Sequence, residues 1–137
     1  METTEVTTRS RIECVEITQQ VQDAVSRARV RSGAVLVCSP HTTAGVTVNE
    51  HADPDVMEDV MATLSQMVPR QGRYAHAEGN SDAHIKAVLV GSSVVLPIEN
   101  GRLALGTWQG VYFCEFDGPR RRRVLVQVVA VVPGVEA

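Results

Sequence analysis

The sequence predicts an α+β fold: an antiparallel, sandwich-like β structure with two or three helices packed on one side. Three observations predict it. Runs of β-branched residues recur between Gly, Pro and Asn turn signals, about seven in all. The links between the later runs are about two to five residues, too short for the crossovers that parallel strands need. Helical spacing of apolar residues is confined to the earlier part of the chain. A doubly wound parallel sheet is therefore disfavoured.

The elements follow in order. Glu5 to Ile17 alternates in places and reads as one or two extended strands. Thr18 can cap a helix in which Val21, Ala24, Val25 and Ala28 share a face, running to about Arg31, with Gly33 beyond its end. Ala34 to Cys38 is a continuous apolar run and reads as a buried strand, broken by Ser39-Pro40. Val46 to Glu50 alternates and reads as the next strand. Asp53-Pro54 is a strong helix start, a capping carboxylate followed by proline at the first helical position. Val56, Met57, Val60, Met61, Leu64 and Met67 then form a core-facing stripe that ends at Pro69. Asp82 can cap a short helix from Ala83 to Val90. Ser92 to Ile98, the strand returning through Leu103 and Leu105 after the Asn100-Gly101 turn, Val111 to Phe116 and Val124 to Val132 complete the sheet. The last is expected to be central.

Length and composition bound the function. A chain of 137 residues is expected to form one domain spanning 1–137. Its 44% hydrophobic and 21% charged content suits a soluble globular protein. A net charge of -3 argues against a nucleic-acid partner. Cys14, Cys38 and Cys114 are odd in number and widely spaced, so neither a disulfide framework nor a thiolate zinc site is indicated. No signal-peptide pattern and no membrane-length apolar run is seen, so the expected location is cytoplasmic.

The densest chemistry lies between Tyr74 and Lys86, which holds His76, His84, Glu78, Asp82, Asn80 and Lys86. Such a stretch cannot be buried unless each group is paired or solvated. It reads as a loop entering a helix, able to hold a metal or an anion, or as a plain polar surface loop. His41, beside Thr42 and Thr43 at the mouth of a strand, can ligate or shuttle protons, or can sit in a simple turn. Glu50 and His51 stand where a strand gives way to a loop. Gly106 to Gly110 brackets Thr107, Trp108 and Gln109, either a close backbone approach to a ligand or a bulge with a packed indole. The four arginines Arg120 to Arg123 form either a solvated edge or a set of phosphate forks.

Together the runs His41 to Gly45, Asn49-Glu50, Ala52 to Pro54, Ala83 to Lys86, Gly106 to Gln109 and Glu115 to Arg120, with Tyr74, His76, Asn80, Gly91 and Gly101, resemble the YjbQ-like family, whose members are often labelled secondary thiamine-phosphate synthases. The resemblance runs from about Arg9 to Val131. It implies a homotrimer with a pocket at or near the subunit interface. His41, His76 and His84 would be its metal ligands, and Glu50, Lys86, Thr107, Trp108 and Gln109 its catalytic group. Thr42, Thr43, Asn80 and Arg120 would bind substrate. His51 stands where the family more often has asparagine and is not counted as a ligand.

Three imidazoles with one open position is a familiar catalytic zinc arrangement. The expected cofactor is thus a divalent metal, zinc by default, with magnesium possible alongside a diphosphate substrate. The implied reaction joins a pyrimidine diphosphate to a thiazole phosphate, giving thiamine phosphate and pyrophosphate. Two alternatives stand beside it: a metal-assisted hydrolase built on a three-histidine zinc site, and a trimeric metal or small-ligand binding protein without turnover.

Overall fold

The computed structural model describes residues 1–132. The expected single domain extends to Ala137, and positions 133–137 lie outside the described residues. The described residues form eight strands and three helices: β1 (Glu2–Thr7), β2 (Glu13–Glu16), α1 (Thr18–Ala28), β3 (Ser32–Cys38), β4 (Ala44–Glu50), α2 (Pro54–Met67), α3 (Ser81–Val90), β5 (Ser93–Glu99), β6 (Arg102–Leu103), β7 (Gln109–Glu115) and β8 (Arg121–Ala130). They form a five-stranded sheet in the order β1-β8-β3-β5-β6 and a three-stranded sheet in the order β2-β7-β4. Every pairing is antiparallel. No helix among the described residues is long and apolar enough to cross a membrane.

The period of two along β7 explains the layering. Val111 and Phe113 point into the space between the sheets, where they meet Val35, Val37, Val124 and Val126. Tyr112, Cys114 and Phe116 point the other way, onto Met57 and Met61 of α2 and Ala83 and Ala87 of α3. The small sheet thus separates two cores, with α2 and α3 together on its outer face. α1 closes the inter-sheet core with Val21, Ala24 and Val25.

Several boundaries differ from the sequence expectation for physical reasons. α1 ends at Ala28, because Arg29 turns left-handed at φ 55° and closes the helix. Gly33 is therefore not a helix stop. It lies within β3, where a Cβ would sit 2.0 Å from the Val129 carbonyl oxygen. Thr18 is the first helical residue instead of the cap. Its hydroxyl donates to Glu16 and accepts from the Val111 N–H. Asp53 caps α2 as expected, accepting from the Asp55 N–H at 2.9 Å. Asp82 does not cap α3. The helix starts two residues earlier, at Ser81 after Asn80, and Asp82 is turned fully inward. β8 runs between β1 and β3, which bears out its central placement.

Candidate functional site

Two segments converge at the open end of the small sheet. The β3–β4 turn carries His41 and Thr42, and the first turns of α3 carry His84. The two segments are brought together by the packing of α3 on β4: the Gly91 carbonyl accepts from the Val46 N–H, and a Cβ on Gly45 would lie 2.6 Å from that same oxygen. Between them lies a polar cleft of about 360 Å³ lined by His41, Thr42, Asn80, His84, Asp117 and Arg120. A second cleft of about 440 Å³ shares His41, Thr42 and His84 but continues over Ala44, Ala87, Val88 and Gly91. The two are halves of one depression, one wall hydrogen-bonding and the other apolar. That is the usual make-up of a small-molecule site.

The polar wall is held from behind by a buried ion pair. Arg122 donates from Nε to Glu115 Oε1 at 2.9 Å and from its terminal nitrogen to Thr43 Oγ1 at 2.8 Å. Glu115 also accepts from the Thr8 hydroxyl at 2.7 Å. Burial alone would raise the Glu115 carboxyl, but these donors hold it below the ordinary carboxylate range. The inward rows of β7 and β8 thus end in a charge pair where the apolar core stops. Further out, Asp117 accepts from Asn80 at 2.8 Å and from Arg120 at 2.9 Å, so the rim is braced as well.

The histidines differ in what they can do. His41 Nε2 accepts from the Arg123 N–H at 3.0 Å, which assigns its proton to Nδ1. Burial, then the charge on Arg122, lowers its pKa and keeps the ring neutral. As it stands in the fold, His41 is a donor with no free lone pair for a metal. His76 and His84 are edge to face with ring centroids 5.3 Å apart. His76 Nδ1 lies 3.0 Å from the Ser81 hydroxyl, and the His84 ring has no hydrogen-bond partner among the described residues. No group of three or more His, Cys, Asp and Glu side chains among the described residues is arranged to hold a metal ion.

The other expected site residues separate. Lys86 is not on the cleft. It is 1% exposed and its Nζ lies 2.9 Å from Asp82, which also takes a two-pronged contact from Arg11. The catalytic role expected for Lys86 meets an ammonium that is engaged in this buried pair and does not line the cleft. Thr43 is buried as the acceptor for Arg122, while Thr42 is exposed on the cleft. Glu50 pairs with Gln109 at the far end of β4, about 20 Å from the histidines by strand rise. Thr107 and Trp108 lie in the turn beside them. The indole is 63% exposed, so the packed-bulge expectation for it is also corrected.

That far end has its own imidazole. His51 Nδ1 lies 3.0 Å from Glu16, whose hydrogen bond is the main cause of the ring's raised pKa. Gly110 makes room for the pair, since a Cβ there would meet both partners at 2.8 Å. Sequence reasoning missed Arg122, Glu115 and Asp117 as parts of the cleft. The available signal was the two-residue period after Pro119, which turns Arg122 inward and Arg121 and Arg123 outward.

This fold and this cleft define a small α+β protein with an amphipathic surface cleft. Its relatives make the assignment specific. The family model described as UPF0047 protein YjbQ-like matches residues 2–131, and the chain belongs to that family. It is 47% identical over 125 residues to a UPF0047 protein of Methanocaldococcus jannaschii, covering 91% of each chain. It is 45% identical over 130 residues to the UPF0047 protein YugU of Bacillus subtilis, covering 94% of this chain and 98% of that one. Among solved structures, an uncharacterised YjbQ/UPF0047 protein of Clostridium acetobutylicum superposes with a TM-score of 0.93 at 50% identity, over 94% of this chain and 100% of the other. A Sulfolobus solfataricus relative described as being of unknown function superposes at 0.91 and 31% identity, over 95% and 96%.

Proposed function

We propose that this protein is a small-molecule enzyme working in the double cleft, with thiamine-phosphate-synthase chemistry as its testable activity. The observation that carries the reading is that His41, Thr42 and His84 line both the polar and the apolar half. A flat heterocycle fits against Ala87, Val88 and Gly91, while its phosphate end meets Arg120, Asn80 and the Thr42 hydroxyl. In the proposed reaction the thiazole nitrogen attacks the pyrimidine methylene and pyrophosphate leaves with the electron pair of the broken C–O bond. His41 donates from Nδ1 to a developing negative oxygen, and His84, with its ring free, exchanges the proton with solvent.

The donor set suits a divalent metal in part. His76 and His84 would hold it, with further positions left to substrate, water or a neighbouring protomer. A bound zinc would supply Lewis-acid stabilisation of the leaving group, and magnesium would travel with the diphosphate. Assembly as a homotrimer belongs to the same reading. Within one chain Glu50, Trp108 and Gln109 lie far from the histidines, so a neighbouring copy must bring them if they share a pocket. The exposed Val88, Leu89 and Val95 provide apolar surface for such contacts.

The test is steady-state turnover of the two phosphorylated precursors by untagged protein. His84→Ala is expected to lower kcat/KM by roughly 100-fold or more, and His76→Ala and His84→Ala to lower zinc retained through gel filtration. Unchanged turnover in both variants would remove the cleft from the chemistry.

A further inference from the structure

Cys14 and Cys114 are 100 positions apart in the sequence, yet they are direct partners in the β2–β7 ladder. The kind of partnership can be read from the hydrogen bonds around them. The Ile17 N–H donates to the Val111 carbonyl, and in this register hydrogen-bonded pairs alternate, so 15 and 113 are bonded and 14 and 114 are not. The other edge of β7 agrees. The Phe116 N–H donates to the Thr43 carbonyl, which directs the Cys114 backbone toward Gly45 of β4 and away from Cys14. Partners at a non-hydrogen-bonded position have Cα atoms about 4.5 Å apart with side chains on the same face, inside the range a disulfide spans. Both side chains point into the core beneath α2 and α3. Cys14 is half-buried and reachable, whereas Cys114 is 1% exposed. β2 is a four-residue edge strand, which can adjust to a crosslink more easily than an interior one.

We propose that Cys14 and Cys114 are a dithiol that a low-molecular-weight disulfide oxidises to an intramolecular cross-strand disulfide. The Cys14 thiolate attacks the small disulfide, forming a mixed disulfide and releasing one thiol. The Cys114 sulfur then attacks Cys14, breaking the mixed bond and releasing the second thiol. Two electrons pass from the protein pair to the small disulfide, and the two cysteine protons end on the two released thiols. Burial raises both thiols, Cys114 up to about 12, so the more exposed Cys14 leads and the second step depends on proximity. The new bond would tie β2 to β7, the strand that carries Glu115.

The experiment treats the full chain with oxidised glutathione and reads thiols by titration and intact mass. Titratable thiols under denaturing conditions are expected to fall from three to one per chain, with a loss of about 2 Da and no retained glutathione. Peptide mapping is expected to join the Cys14 and Cys114 peptides. Cys38→Ser should still close the bond. Cys14→Ser, which leaves the buried core intact, should not. A stable glutathione adduct on Cys14 without closure would overturn the proposal, as would a crosslink through Cys38, or three thiols surviving under conditions that oxidise a control dithiol.

Discussion

His41 and His51 carry imidazoles in opposite electrostatic settings. His41 is partly buried and within reach of the Arg122 charge, both of which favour the neutral ring; His51 leans on Glu16, which favours the charged one. Their effects on stability therefore have opposite signs. For His41 the folded pKa lies below the unfolded value of about 6.5. Its contribution is complete above that value and is lost as pH falls toward the lowered pKa. For His51 the folded pKa lies above it. The contribution of the Glu16 pair is complete below about 6.5 and is lost as pH rises through the raised pKa. Titration by NMR should show the His41 midpoint below, and the His51 midpoint above, that of a free histidine. The reverse order would contradict both environments. Lys86 supplies a sharper residue-level test. Lys86→Met leaves Asp82 buried with Arg11 as its remaining cationic partner and should cost about 3 kcal/mol in urea unfolding. Full stability with lost turnover would instead return Lys86 to the chemistry.

At the scale of elements, legibility in the sequence tracked how local the determining contacts are. α2 was legible from end to end because its start is written in adjacent residues, Asp53 and Pro54, and its stop in Pro69. Asp53→Ala should accordingly cost about 1 kcal/mol, since one cap hydrogen bond is lost and the rest of the helix is untouched. α3 was legible in extent but not in polarity. Asp82 looks like a cap by position, and only the arrival of Arg11 from 71 residues away turns it into a buried anion. The arginine run shows the same limit. Its alternation could be counted, but which arginines turn inward depends on β1 and β3 flanking β8. The consequence is measurable. Arg122→Met strands Glu115 in the core and should cost about 4 kcal/mol, and combining it with Glu115→Leu should recover much of that loss. A double variant as unstable as the sum of the two singles would mean that the pair is not coupled.

For the whole molecule, the resemblance grouped residues that one chain keeps at two ends of a strand. His41 and His84 stand at the start of β4, while Glu50 and Gln109 stand at its end. No sequence argument could separate them, because spacing along the chain says nothing about which end of a sheet a loop reaches. If both ends serve one reaction, they must meet between protomers, and a closed ring of three copies lets each copy lend its far end to the next. Variants can test this without a structure of the assembly. His84→Ala removes the cleft but keeps the far end, and Gln109→Ala does the reverse. On the shared-site proposal each variant alone should be nearly inactive. If the two are mixed, dissociated and reassembled, an intact cleft from one variant faces an intact end from the other at roughly one quarter of the sites in a random ring. Activity should therefore return to about a quarter of the unmodified protein's. Gln109→Ala protein that keeps full activity on its own would confine the chemistry to the histidine cleft and leave the Trp108 turn outside it, and two inactive variants that never recover on mixing would sink the shared site.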